Sequence, residues 1–257
     1  MSFKSFGADY GFDSRAYVPA GAVDGATSVN KFGRASNVVK DVLTTVFDSN
    51  IDYPFPSVLD GAVMTHIRQD ADQAAMRGKQ ITIEGCTVGG VEFVQTVTLD
   101  ATLTNTLVAL DTPLFRVNSM FVSDDQIVDS PVRVVNAANT VVYATINVVE
   151  DTGNNQTMMA VFSVPAGKSL LLTQWHSHLS KAANKEPTAV QMSIWQTNTG
   201  LGYAPRVVHP LGGLSNFIHP FTPYKRIPEM SDVFVRAYVT GQNADISSGF
   251  DGYLIDN

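Results

Sequence analysis

The sequence predicts an all-β protein, an antiparallel β-sandwich or jelly-roll-like body, and both one large body and two β lobes fit the pattern. Short segments of alternating apolar and polar residues recur from Ile81 to Ile255, and a period of two is typical of strands with one buried face. Turns rich in Gly, Asn and Pro separate these segments at near-regular spacing. Only one stretch has helical spacing, which disfavours a mixed α/β fold.

The 257 residues are enough to bury a core without disulfides. We divide the chain into an extended N-terminal arm over 1–35, an irregular segment with the pattern of a short helix over 36–77, a first β lobe over 78–150 and a second β lobe over 151–257. The turn cluster from Asp151 to Asn155 marks the boundary between the two lobes.

The arm has no apolar period of either kind over residues 1–30, which are rich in Gly, Ala, Ser and Asp. Aromatic residues nevertheless recur along it, and aromatic rings on an irregular segment are suited to bury themselves against another surface. We therefore predict that the arm becomes ordered on assembly. Its interface candidates are Phe3, Phe6, Tyr10 and Phe12.

The stretch from Ser36 to Asp48 places its apolar residues on one face of a short helix, with Ser36 as the N-cap. Its content of Val and Thr leaves a strand as the alternative. Pro54 and Pro56 then favour an extended segment.

Strands dominate from Gly78 onward. The Gly89-Gly90 pair predicts a hairpin between the first two strands, and Pro165 with Gly167 predicts a type II turn. The predicted strands are 80–84, 92–99, 114–122, 132–135, 141–149, 156–164, 169–179, 188–197, 232–240 and 246–255.

The composition excludes several function classes. Charged residues make up 16% of the chain, against about 25% in an average domain, and the net charge of −7 disfavours nucleic acid as a partner. The single cysteine, Cys86, excludes a disulfide framework. No apolar run reaches the roughly 18 residues of a membrane helix, and the first ten residues lack the apolar core of a signal peptide. We expect synthesis in the cytoplasm and no membrane partner.

The sharpest chemical pattern is Trp175-His176-Ser177-His178. On a strand, His176 and His178 point to the same side and form half of a metal site. Glu186 follows at eight residues rather than at the short spacing of a cupin motif, whose glycines are also absent, and His209 or His219 is the other source of a third ligand. The alternative interpretation is a solvated face or a contact between subunits.

The sequence contains no recognisable catalytic motif. No Gly-x-Ser-x-Gly elbow is present, and Cys86 is typical of a small buried residue. We predict no catalytic residue, no resident metal and no cofactor.

Seven segments of the chain, mostly turns and strands, form an ordered set from Asn30 onward. They are Asn30–Arg34, Asp52–Pro56, Gly78–Leu99, Phe115–Asn118, Asn155–Ala160, Val164–Lys168 and Phe250–Leu254. This set resembles a family of virion structural proteins of tailed bacteriophages, found widely among marine phages. The resemblance implies a non-enzymatic β-sandwich protein located in the virion, made in the host cytoplasm, whose partners are other virion proteins such as the major capsid protein or tail proteins.

Two function classes follow. Within the virion class we favour a head-surface component, a capsid decoration or cement protein, because a compact sandwich with an extended arm suits a shell lattice. A tail, baseplate or fibre-attached protein is the alternative. The other class is a cupin-like or lectin-like sandwich that binds a metal or a glycan through His176, His178, Trp175 and Trp195.

The segment from Leu211 to Tyr224 combines apolar side chains with Pro and Gly, which predicts an irregular loop. An exposed apolar loop of this kind marks an interface, whereas burial within the same subunit is the competing interpretation. We predict a homo-oligomer, and a trimer by analogy with other phage sandwich proteins. The interface candidates in this segment are Leu214, Phe217, Ile218, Phe221 and Tyr224.

Overall fold

The computed structural model of the protein is almost entirely β. It describes residues 18–49, 51–70, 76–102, 106–122, 128, 130–148, 155–181, 189–198, 202–211 and 216–257. The strands are β1 (Ala26–Val38), β2 (Thr44–Thr45), β3 (Met64–Gln69), β4 (Gln80–Cys86), β5 (Glu92–Thr98), β6 (Leu107–Leu114), β7 (Arg116–Val122), β8 (Val132–Val135), β9 (Val142–Ile146), β10 (Val161–Ser163), β11 (Lys168–Lys181), β12 (Ala189–Asn198), β13 (Gly202–Leu211), β14 (Asn216–Ile227), β15 (Asp232–Thr240) and β16 (Ala244–Asp256). One 3-10 turn spans Val58–Asp60.

Within the described residues, the strands form four antiparallel sheets. Sheet I has the order β1-β16-β11-β14, and sheet II has the order β10-β15-β12-β13 with β2 paired to β15. Sheet III has the order β6-β3-β8-β9, and sheet IV has the order β5-β4-β7. The predicted all-β, sandwich-like fold is confirmed.

Sheets I and II enclose one hydrophobic core. Trp175 and Phe250 from sheet I and Met192 and Val235 from sheet II are fully buried in this cluster. Successive side chains of a strand point to opposite faces, so the core-facing residues of β11 and β16 alternate with residues of the other face. Sheet I consequently has an inner face that builds the core and an opposite, outer face, where Tyr253 is covered by Val18 and Val23.

A second core lies among the strands of sheets III and IV. It includes Ile67 on β3 and Ile83 on β4, and it extends to Phe234 on β15. The neighbours of Phe234 along that strand, Val233 and Val235, belong to the first core. Strand β15 therefore contributes to both cores from its two faces.

Strands β4, β5, β7, β8, β9, β11, β12, β15 and β16 lie where apolar alternation predicted them. The prediction missed β3, β6 and β13, and of the predicted strand over 156–164 only β10 is formed. The β4–β5 hairpin pairs Ile81 with Val97 across the turn at Gly90, whose φ is 74°. Gly167, with a φ of 75°, provides the left-handed residue of the turn before β11. The division of residues 78–257 into two lobes stays a prediction, and the turn cluster proposed as their boundary lies mostly outside the described residues.

The predicted arm is wrong for residues 26–35, because they belong to β1 and pair with β16 from Ala26↔Ile255 to Ala35↔Ile246. Lys31 and Gly33 occupy two inward positions of β1. These positions are therefore not apolar in the sequence, and the alternation that predicts a strand is lost. Gly33 fits a close contact: a Cβ atom there would lie 2.3 Å from the Val46 carbonyl oxygen and 2.4 Å from the Ala160 nitrogen. Phe3, Phe6, Tyr10 and Phe12 lie outside the described residues.

The predicted helix over residues 36–48 is also wrong. The first part of this stretch completes β1, and Thr44 and Thr45 form β2. Asn37 and Asp41 have φ values of 57° and 63°, left-handed conformations that interrupt a right-handed helix. The stretch instead runs along sheet II, where the Val46 nitrogen donates to the Val235 carbonyl. The irregular segment over 36–77 also contains β3, a central strand of sheet III.

Candidate interaction surface

The outer face of sheet I carries rows of side chains that cross all four strands. Antiparallel partners on neighbouring strands point to the same side of a sheet, so the register of β1, β16, β11 and β14 defines each row. The Asn30 row is Asn30, Asp251, Gln174 and Pro220; the Phe32 row is Phe32, Gly249, His176 and Ile218; the Arg34 row is Arg34, Ser247, His178 and Asn216.

The Phe32 row is the apolar part of this face. Phe32 is 42% exposed and Ile218 is 67% exposed. The Phe32 ring stacks on the His176 ring, with centroids 6.4 Å apart and planes 17° apart. Gly249 lies between them, and a Cβ atom there would lie 2.8 Å from His176 Nε2. Because Gly249 has no side chain, the His176 ring can lie close to its backbone. The Phe32 row thus forms an apolar strip across the sheet.

His176 and His178 lie on this outer face, two residues apart on β11. His178 Nδ1 is hydrogen-bonded to Asn216 Oδ1 across to β14. Within the described residues there is no group of three or more His, Cys, Asp or Glu side chains that could hold a metal ion. Glu186, one of the candidates for a third ligand, lies outside those residues.

Of the three remaining histidines, His66 lies on β3, whereas the rings of His209 on β13 and His219 on β14 lie on the side of β14 opposite to His176. The His209 ring is 3.9 Å from the Phe217 ring, and the His219 ring is 6.1 Å from it. His219 pairs with Trp175, an inward residue, so it faces away from His176. The structure therefore brings His209 and His219 together around Phe217 and separates them from His176 and His178.

Trp175 is part of the core rather than a binding platform, and its predicted contribution to a glycan site is wrong. The side chain is fully buried, and its Nε1 donates to Ser248 Oγ at 3.0 Å. Trp195 is half-buried. The Arg236 guanidinium lies 4.9 Å from its ring centroid.

Residues 216–224 of the predicted loop are not irregular, because Asn216–Ile227 forms β14, and Leu211 is the last residue of β13. Proline is accepted there because β14 is the edge of sheet I and pairs only with β11. Phe221 is buried and Phe217 packs against the core, whereas Ile218 and Tyr224 are exposed. The segment is thus divided between the core and the surface, and Leu214 lies outside the described residues.

Sheets I and II each end on a strand that contains proline. β13 carries Pro205 and Pro210, and β14 carries Pro220 and Pro223. Proline removes the backbone donor that an added strand would need. Association through these two edges is therefore disfavoured, and the faces are the better contact surfaces.

A buried ion pair connects β7 to β15, and sequence reasoning missed it. Arg116 donates from Nε and Nη2 to the two carboxylate oxygens of Asp232, at 2.9 and 3.0 Å. Arg116 Nη1 donates to the Pro56 carbonyl at 3.0 Å, and the guanidinium lies 3.9 Å from the Phe115 ring centroid. Two of the segments quoted above for the phage resemblance, Asp52–Pro56 and Phe115–Asn118, contribute to this region, so their residues help to hold the fold together.

Lys31 reaches the same region from β1. Its Nζ donates to the Asn118 backbone carbonyl in a buried hydrogen bond. Burial lowers the pKa of Lys31 to about 8, and the nearby Glu84 carboxylate opposes this shift. The Asn118 side chain exchanges two hydrogen bonds with the backbone of Ser163, at 2.8 and 3.0 Å. These contacts hold β1, β7 and β10 together.

Cys86 lies at the end of β4, where burial raises the pKa of its thiol to about 12, with further contributions from Glu92 and Asp232. A thiol with such a pKa stays protonated at neutral pH, so Cys86 is not an activated nucleophile. Its Sγ contacts the Ser163 carbonyl at 3.9 Å. The residue is a packing element of the fold, as its type predicted.

Comparison with known proteins gives little. No protein-family model matches the chain, and no curated protein matches it. A solved structure of the cysteine protease and lectin-like domains of Cwp84, a surface layer associated protein of Clostridium difficile, aligns with 8% identity and a TM-score of 0.17 over 79% of this chain and 66% of that chain. A score this low carries no argument. Among the described residues, no helix is long and apolar enough to span a membrane.

Proposed function

We propose that the chain is a non-enzymatic virion structural protein of a tailed bacteriophage, a decoration or cement component of the head surface that docks through the outer face of sheet I. The observation that carries this proposal is the Phe32 row. Two large apolar side chains, Phe32 and Ile218, are exposed in the same row of the outer face, at its two edge strands. Clustered exposure of this kind marks a contact surface.

The free energy of binding that the Phe32 row can contribute is small, which favours a protein that binds through several copies or several contacts. Burying an apolar side chain of this size contributes about 2 kcal/mol, so two of them support only weak binding by one copy. Several copies joined together, or one copy held at a second point, bind far more tightly because the later contacts are intramolecular. We therefore propose a homo-oligomer, with the trimer as the preferred state, and the N-terminal arm as the second contact.

The rest of the surface supports docking by side chains. Prolines on β13 and β14 oppose strand addition at these two edges. The net charge of −7 opposes nucleic acid as the partner. A virion protein such as the major capsid protein fits better.

The docking face is tested with Phe32→Asp and Ile218→Asp. The matched control is Val94→Asp on β5, which is 56% exposed on another sheet. Purified chains are mixed with phage particles that lack this protein, and bound chain is measured after sedimentation. We expect the Phe32 and Ile218 variants to lose binding while the control retains it. Equal binding by all the chains would overturn the docking face.

Head and tail locations are distinguished by the copy number in purified particles, measured by quantitative mass spectrometry. Hundreds of copies support the head-surface role. A dozen or fewer would support the alternative, a tail, baseplate or fibre-attached protein.

Light scattering on the isolated chain measures the oligomeric state, and a mass of 27.7 kDa at micromolar concentration would contradict the oligomer.

A further inference from the structure

We infer that a cavity beside the Asn30 row binds a neutral saccharide, a property separate from the proposed docking function. The cavity has a volume of about 630 Å³, within the usual range for small-molecule sites. It is lined by parts of β1, β11, β14 and β16 together with Pro19. A site of this size accommodates one or two sugar rings.

Three side chains of the Asn30 row form the polar floor of the cavity. The Asp251 carboxylate accepts one hydrogen bond from Asn30 Nδ2 and another from Gln174 Nε2 at 2.5 Å. Each amide thus directs one N–H to Asp251, which leaves its oxygen as an acceptor and its second N–H as a donor for a ligand. The Thr173 hydroxyl donates to the Asp251 backbone carbonyl at 3.1 Å and fixes this part of the floor.

A tyrosine pair forms the wall of the cavity. Tyr224 is 46% exposed, and its ring meets the Tyr253 ring edge-on, with centroids 6.2 Å apart. Tyr253 is buried beneath the turn that carries Val18 and Val23, so it supports Tyr224 from below. An exposed tyrosine provides an apolar ring face and a polar hydroxyl together. The C–H face of a sugar ring packs on such a surface.

The polar groups select the chemical class of the ligand. Acceptor oxygens on the floor need hydroxyl donors, and an apolar ligand would leave them buried without partners. The residues that line the cavity include no Lys, Arg or His, and one carboxylate is present, so an anionic ligand is disfavoured. A cation is disfavoured because the lining carries a single carboxylate, and two amide N–H donors already share its negative charge. A neutral polyhydroxylated ring meets all of these conditions.

The experiment uses the full chain with glucose, galactose, mannose and N-acetylglucosamine, each at about 10 mM, well above a dissociation constant of about 1 mM. Binding is measured by saturation-transfer-difference NMR and then by titration. We expect at least one of these sugars to bind. Asp251→Asn and Tyr224→Ala should each weaken its binding about tenfold or more, and Tyr224→Phe should keep most of it. Thermal unfolding of each variant verifies that it is folded.

Two matched controls separate this inference from the docking proposal. Glu92→Gln removes an exposed carboxylate on β5, and Phe32→Ala removes an exposed aromatic ring from the same face but outside the cavity. Both should bind the sugar as the parent chain does, while Phe32→Ala should weaken docking on particles. Failure of all four sugars to bind, binding of inorganic phosphate in their place, or sugar binding unaffected by Asp251→Asn and Tyr224→Ala would each overturn the site.

Discussion

Arg116 on β7 and Asp232 on β15, 116 positions apart in the chain, form a buried ion pair with two parallel hydrogen bonds. Ser163 also donates to the Asp232 carboxylate, so strands of sheets II and IV share one charge network. Removal of one partner from such a pair leaves an uncompensated buried charge, which is far more costly than losing the attraction.

Asp232→Asn should therefore lower the free energy of unfolding by about 3–5 kcal/mol. The control is Asp52→Asn, which breaks the more exposed pair between Asp52 and Arg236 and should cost about 1 kcal/mol or less. Both values are obtained from urea unfolding followed by tryptophan fluorescence. Equal losses for the two variants would show that burial of the Arg116 pair does not matter.

Asp48, next to β2, should destabilise the protein at neutral pH. Burial raises the pKa of its carboxyl to about 6, with Arg34 opposing the shift. Its Oδ2 atom is buried without a hydrogen-bond partner among the described residues. Because the pKa in the folded state lies above the unfolded value of 3.8, the folded state holds its proton longer, and stability falls as the pH rises from about 4 to about 6.

Asp48→Asn should raise the free energy of unfolding by about 1–2 kcal/mol at pH 7, after a discount for partial exposure to solvent. The gain should disappear at pH 4, where the parent carboxyl is largely protonated in the folded state. Urea unfolding of both chains at several pH values measures the difference. A gain of the same size at pH 4 and pH 7 would show that the effect is not due to ionisation.

The strands that sequence predicted best are those whose inward positions are all apolar. In β15, Val233, Val235, Ala237 and Val239 make the alternation plain. β1 was missed because Lys31 and Gly33 occupy inward positions. β14 was missed because prolines within a segment argue against a regular strand. They are tolerated in an edge strand, and only the order of the strands in the sheet shows that β14 lies at an edge.

The candidate surface could be predicted only in part. The i, i+2 spacing places His176 and His178 on one side of a strand without any knowledge of the fold. Their neighbours Phe32 and Ile218 come from β1 and β14, far away in the chain, and are brought beside them by the register of three strand pairs. No local signal encodes that register.

Lys31 should produce a rise in stability at alkaline pH. Burial holds its pKa at about 8, below the unfolded value of 10.5, so the unfolded chain binds more protons between these values. Stability should therefore increase by about 1 kcal/mol from pH 8 to pH 9. The buried Cys86 thiol, whose pKa is raised from 9.0 to about 12, acts in the opposite direction, since the unfolded thiol ionises first. This effect begins between pH 8 and pH 9, where it offsets part of the Lys31 contribution, and it grows above pH 9.

Lys31→Met should remove the increase between pH 8 and pH 9, whatever its effect on stability at pH 7. The slope is the readout, because the substitution also removes the hydrogen bond to the Asn118 carbonyl. Urea unfolding in closely spaced buffers measures it. The same slope in both chains would assign the pH dependence to another group.

Cys86 should react very slowly with alkylating reagents in the folded protein. At pH 8 a thiol with a pKa of about 12 has far less thiolate than an ordinary cysteine, so iodoacetamide labelling should be slower by at least about 100-fold than for the chain in urea. Mass spectrometry of timed samples gives both rates. Fast labelling of the folded chain would show that the thiol is exposed or activated.

Two N-terminal deletions separate the arm from strand β1. Removing residues 1–17 leaves every described contact in place, so the thermal midpoint should hardly change. Binding to particles should weaken if the aromatic residues of this segment are a second contact.

Removing residues 1–30 deletes the pairs from Ala26↔Ile255 to Asn30↔Asp251 and uncovers Tyr253. That deletion should lower the thermal midpoint by roughly 5–10 °C, because a few kcal/mol shifts the midpoint of a protein of this size by about that much. Differential scanning calorimetry measures both midpoints, and sedimentation with particles measures binding. A large loss of stability from the shorter deletion would place those residues in the core of their own subunit, and unchanged particle binding would remove the arm as a contact.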